Sequence, residues 1–82
     1  MIVTQLSKSM YKTFEIKDEN GNPLTIAVMS VNYNDRTVGI TLDIVNKEQA
    51  NANKQELEKE IKLFMLQLNE KLNEIGMINI IS

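Results

Sequence analysis

Residues 11–28 read YKTFEIKDENGNPLTIAV, and the turn chosen inside them decides the fold. Phe14 and Ile16 alternate with Thr13, Glu15 and Lys17, the pattern of a half-buried strand. Asp18-Glu19-Asn20-Gly21-Asn22 then supplies a run of turn-forming residues. A two-residue loop at Asn20-Gly21 sets Phe14 opposite Ala27 and Ile16 opposite Thr25. A three-residue loop, Glu19 to Gly21, sets Phe14 opposite Ile26 and Ile16 opposite Leu24. One slip of register moves a whole strand face from core to water. The longer loop keeps four large apolar side chains together. It also places Asp18 at the first position of a type I turn and Gly21 where the backbone must be left-handed. The expectation is a type I turn with a bulge at Gly21.

Outward from this hairpin, a second strand runs from about Leu24 to Tyr33. Leu24, Ile26 and Val28 occupy its even positions, and Ala27, Met29, Val31 and Tyr33 its odd ones, so both faces are partly apolar. Asn34-Asp35-Arg36 is the next turn. Strand three, Thr37 to Val45, alternates with Val38, Ile40, Leu42 and Ile44 facing in. An odd-length loop pairs Val28 with Leu42 and Ile26 with Ile44.

From Asn46 the period becomes helical. Asn46 with Gln49, and Asn53 with Glu56, each resemble a capping pair, so the helix starts at one or the other. Leu57, Ile61, Phe64, Met65, Leu68, Leu72 and Ile75 form one core-facing stripe, and Gly76 ends the helix. The fold class expected is α+β: a three-stranded antiparallel meander (11–45), one long amphipathic helix (46–75) packed on it, and a short terminal strand (77–81). Residues 1–10 read as an arm, and 1–82 as a single small domain.

A helix over 47–75 is about 43 Å long at ~1.5 Å per residue, whereas eight-residue strands span about 27 Å. Its first half therefore overhangs the sheet. Leu63 and Leu66 lie on the helix face opposite the stripe. Met29, Val31 and Tyr33 fall on the second face of the sheet. These five side chains are the candidate interface residues, and they point to a surface that takes a partner.

The composition narrows the chemistry. With 82 residues the chain is at the small end of what buries its own core. Nine basic and eleven acidic residues give a net charge of -2, which argues against a strongly basic nucleic-acid binder. Cys, His and Trp are absent, so no thiol nucleophile, zinc–thiolate site or imidazole base is available. Asp18, Asn20 and Asn22 resemble the start of a calcium loop, but its sixth and twelfth positions hold Pro23 and Met29. No two glycines cluster as a phosphate loop requires. Asp43 and Lys12 are the residues around which an unusual carboxylate or lysine site would form. Tyr11 and Tyr33 are the pair that can share an outer sheet face for base stacking, but no cluster of Lys or Arg flanks them. The 4-3 spacing of Leu57, Ile61, Phe64 and Leu68 is interrupted at Lys71, which argues against a long coiled coil.

The longest apolar run, Leu63 to Leu66, is far short of a membrane span of about 20 residues, and Thr4 and Gln5 break the opening run that a secretory signal needs. The chain reads as a cytoplasmic protein without cofactor or metal. It is expected to be a non-catalytic interaction or assembly protein that associates with itself or with another protein. The alternative is an accessory factor, of the kind a phage or mobile element encodes, acting on nucleic acid or on a nucleic-acid enzyme.

Overall fold

A computed structural model describes residues 8–81. Three antiparallel strands, β1 (Lys8–Lys17), β2 (Pro23–Tyr33) and β3 (Val38–Ile44), form a sheet in the order β1-β2-β3. Two helices follow, α1 (Lys47–Ala52) and α2 (Lys54–Glu74). The expected α+β meander with a long helix is the fold observed. β1 starts earlier than expected: Lys8 to Met10 belong to it, while residues 1–7 of the expected arm lie outside the described residues.

The first hairpin turns as its residues dictate. Asp18 Oδ1 accepts from the backbone N–H of Asn20 and of Asn22, both at 2.9 Å. The Gly21 N–H donates to the Asp18 carbonyl at 3.0 Å, and Gly21 sits at φ 79. Ile16 accordingly pairs with Leu24. Beyond that pair the register shifts between Phe14 and Glu15, so Phe14 meets Ala27 and Ile26 becomes the extra residue of a bulge. A bulge of this kind reverses the phase of the strand that carries it. Ile26 on one side of it, and Ala27, Met29, Val31 and Tyr33 on the other, are all buried. The apolar residues of β2 thus serve one face, except Val28, which alternation places with Leu24 and Ile26 and which instead pairs with Thr13 and Asp43 on the outer face.

This phase reversal corrects the expected position of Met29, Val31 and Tyr33. They lie in the core rather than on an outer sheet face. The β2–β3 register is corrected with it: Leu42 pairs with Met29 and Ile44 with Ala27. The turn sets this register. Tyr33 pairs with Val38, so the loop runs from Asn34 to Thr37. Asn34 Oδ1 accepts from the N–H of Arg36 at 2.8 Å and of Thr37 at 2.7 Å, while the Asn34 N–H donates to the Thr37 carbonyl at 3.0 Å. An Asx turn of this length rejects the odd loop.

Both helix starts read from the sequence are used, in different ways. Asn46 caps α1 by accepting from the Gln49 N–H at 3.0 Å. Asn53 both closes α1 and opens α2: its N–H and its Nδ2 donate to the Gln49 carbonyl, at 3.1 and 2.8 Å, and its own carbonyl accepts from the Leu57 N–H at 2.9 Å. α2 therefore follows a break, and its first turn has no side-chain cap. Its end is well defined. Met77 N–H donates to the Leu72 carbonyl at 2.8 Å and Gly76 N–H to the Asn73 carbonyl at 3.1 Å, with Gly76 at φ 79. This is a Schellman closure, and Met77 packs on the core as that motif favours.

The expected terminal strand is absent. Residues 77–81 have no ladder partner among the described residues. They are held by Asn69, which is buried. Its Oδ1 accepts from Ile80 N–H at 2.9 Å and its Nδ2 donates to the Ile81 carbonyl at 2.7 Å. One amide offers the donor and acceptor that a strand edge would have offered, so the segment satisfies its backbone without becoming β.

Leu57, Phe64, Leu68 and Leu72 fill the core from α2, and Ala50 from α1. α1 lies on β2 and α2 on β1. No helix among the described residues is long and apolar enough to cross a membrane.

Candidate interaction surface

The helix layer is too narrow for its sheet. A helix is about 10 Å across, and strands are spaced ~4.8 Å apart, so one helix covers about two strands. Here the covered strands are β1 and β2. β3 puts Val38, Ile40, Leu42 and Ile44 on the same face as Tyr33, Val31, Met29 and Ala27, its register partners. The β2 residues are buried, yet Ile40, Leu42 and Ile44 are 43, 42 and 45% exposed. A row of aliphatic side chains continues the core floor past the edge of its roof. Val45, at the strand's end, is also exposed.

The backbone of that row is open as well. Val45 N–H donates to the Ile26 carbonyl at 3.0 Å, and Asn34 N–H to the Thr37 carbonyl. In an antiparallel pair, bonded and non-bonded positions alternate. With the observed register, Gly39, Thr41 and Asp43 therefore aim their backbone groups at β2. Val38, Ile40, Leu42 and Ile44 aim theirs outwards, where the sheet ends. All four carry open donors and acceptors, and three of them, Ile40, Leu42 and Ile44, also carry exposed apolar side chains, while Val38 packs against the core.

The two sheet edges differ in one respect. On the helix face β1 carries Met10, Lys12, Phe14 and Ile16, with Lys12 exposed opposite Met29. An inward-pointing charge on an edge strand opposes pairing with another chain. On that face β3 has no charge at all.

Leu63 and Leu66 are 46 and 40% exposed. At ~100° per residue they point away from the Leu57 stripe, so they form a second, smaller apolar spot on the back of α2. The remaining interface candidates, Met29, Val31 and Tyr33, are core residues. The β3 row is what sequence reading missed. Its alternation places Val38, Ile40, Leu42 and Ile44 on the core face, which is correct; the width of a single helix is the signal that leaves the last three exposed.

The outer sheet face is mostly polar, carrying Thr13, Ser30, Asn32 and Thr41 beside exposed Tyr11. Tyr33 is buried on the opposite face, so the two tyrosines form no stacking platform. Lys12 and Asp43 are likewise on opposite faces, as their partners Met29 and Val28 show. Lys12 does border an open cleft of about 310 Å³ between β1 and the start of α2, floored by Phe14, Ile16, Ile26 and Leu57 and rimmed by Glu15, Glu56 and Glu60. Among the described residues no group of three potential metal ligands converges. The one ion pair among them, Lys71 with Glu74 at 4.0 Å, is exposed and contributes little. Set against family models, curated proteins and solved structures, the chain matches none.

Proposed function

We propose that this chain is a non-catalytic assembly protein that works as a homo-oligomer, with β3 as its adhesive element. The observation that carries the reading is the row Ile40, Leu42 and Ile44, continuous with the core and left without cover. Surface area allows it. The chain exposes 6290 Å². A compact monomer of this mass exposes about 5,000 Å². The difference of about 1,300 Å² goes with the flat, elongated shape and leaves room for the ~800 Å² per partner that a standard stable interface covers.

Magnitudes set the expected strength. Covering the whole exposed part of each of the three aliphatics is worth roughly 1–2 kcal/mol, and a strand paired at the edge covers the flank of each, so a fraction of that is gained on both copies. Association costs an estimated 4–15 kcal/mol. The two are of the same order, so the dimer is expected to be reversible rather than obligate. Light scattering or native mass spectrometry across a dilution series tests this. The expected result is a mass of twice 9.4 kDa at high concentration, falling to 9.4 kDa on dilution. A strict monomer at the highest soluble concentration would refute the proposal.

A further inference from the structure

Resting on that reading, we infer that the partner is a second copy docked β3 to β3, antiparallel, about a two-fold axis at Thr41, making one continuous six-stranded sheet with both α2 helices on one face. A two-fold perpendicular to the sheet preserves its faces. Pairing about Thr41 sets Ile40 opposite Leu42 of the other copy and Val38 opposite Ile44, so the whole apolar row meets its own image. These are the residues whose backbone groups point outwards, so each bonded position of the new ladder is filled. Thr41 meets Thr41 at a non-bonded position, a favourable cross-strand pair. On the outer face Gly39 lies opposite Asp43, which keeps the two carboxylates apart. A register centred on Asp43 would bring them together and is disfavoured.

Charge does not oppose this arrangement at its ends. Asp35 and Lys47 stand equally far from Thr41 on either side, so the two-fold brings them towards each other; with Arg36 beside Asp35 and Glu48 beside Lys47, each end carries one charge of either sign and no like-charged run faces another. β1 cannot play this part, since Lys12 would place an ammonium in the middle of the joint apolar face. The contact is isologous and closes on itself, as two-fold interfaces do.

The chain has no cysteine, which makes cross-linking a clean test. Opposed residues at a non-bonded antiparallel position have Cα atoms ~4.5 Å apart, inside the range a disulfide accepts. Thr41→Cys is expected to oxidise to a covalent dimer. Tyr11→Cys, in the same row of the same face but on β1, is expected to cross-link roughly tenfold less under identical conditions. In parallel, Leu42→Lys should raise the dimer dissociation constant roughly tenfold or more, while Leu66→Lys leaves it unchanged. Far-UV circular dichroism confirms that each variant is folded. Equal cross-linking at both positions, or none at Thr41→Cys in a parent chain that is dimeric by mass, overturns the β3 pairing while leaving self-association standing. Loss of the dimer on Leu66→Lys and not on Leu42→Lys overturns it in favour of the back of α2. A parent chain that is monomeric by mass removes both readings together.

Discussion

At the residue scale, Asn69 does more than any other polar side chain. It is buried, and its amide bonds both ways to the backbone of residues 80 and 81. Asn69→Ala deletes both bonds and strands the groups that made them. A loss of about 1–3 kcal/mol in urea denaturation is expected, with the Ile80 amide losing its protection from hydrogen exchange. Protection unchanged in the variant would show that the tail is held by packing of its apolar side chains. This residue also explains why the terminal segment was misread. The Met77–Ile81 composition is that of a strand, and the partner that decides otherwise lies on a helix eleven or twelve positions earlier. Alternation reports which residues are apolar; it does not report whether a ladder is waiting. Asp18 is the opposite case. Its turn is closed by atoms within four residues of itself, so it was legible without the fold.

At the element scale, the outward direction of alternate backbone groups along β3 has a sharp consequence for proline. The Leu42 N–H points to the open edge, whereas the Thr41 N–H points to β2. Proline removes a donor and is tolerated on an edge strand where that donor faces outwards. Leu42→Pro in dilute protein is expected to cost about 1–2 kcal/mol and keep the fold. Thr41→Pro breaks an internal ladder bond and is expected to cost about 3 kcal/mol or more. Circular dichroism against urea separates them, and a larger loss for Leu42→Pro than for Thr41→Pro would show that the β2–β3 ladder has the other phase. The same element shows where sequence reading stopped. The β1–β2 turn was found, and its first pair with it. The β2–β3 register differs from the expected one by a single residue because the Asn34 loop holds four residues rather than three, while the bulge at Ile26 separately turns Ala27, Met29, Val31 and Tyr33 to the core face. A bulge leaves no mark in composition; here the mark was the unexplained apolar content on both faces of β2.

The whole molecule is long and flat, 57 × 28 × 18 Å. Its radius of gyration is 15.5 Å, against about 12 Å for a compact domain of this length. Its core is one face of a sheet under α2 and the short α1, thin for a free-standing domain. If the proposed dimer adds to that core, stability depends on protein concentration by mass action. A tenfold rise in concentration is expected to raise the unfolding temperature by several degrees, since about 1 kcal/mol shifts a domain of this size by 4–8 °C. Scanning calorimetry at two concentrations checks this, and an unmoved midpoint would point to a domain stable on its own. This level was the least legible in the sequence. Leu63 and Leu66 were recognisable as outward-facing, but the larger apolar surface arises from a mismatch of widths between layers, which no single residue encodes.

Lys12 has a meaning beyond its own strand. A sheet open at both ends is a unit of polymerisation: whatever joins one end can be joined again at the other. By making one end inhospitable, this single ammonium would set a stopping rule for the proposed pairing, so that joining at β3 halts at two chains instead of growing into a ribbon.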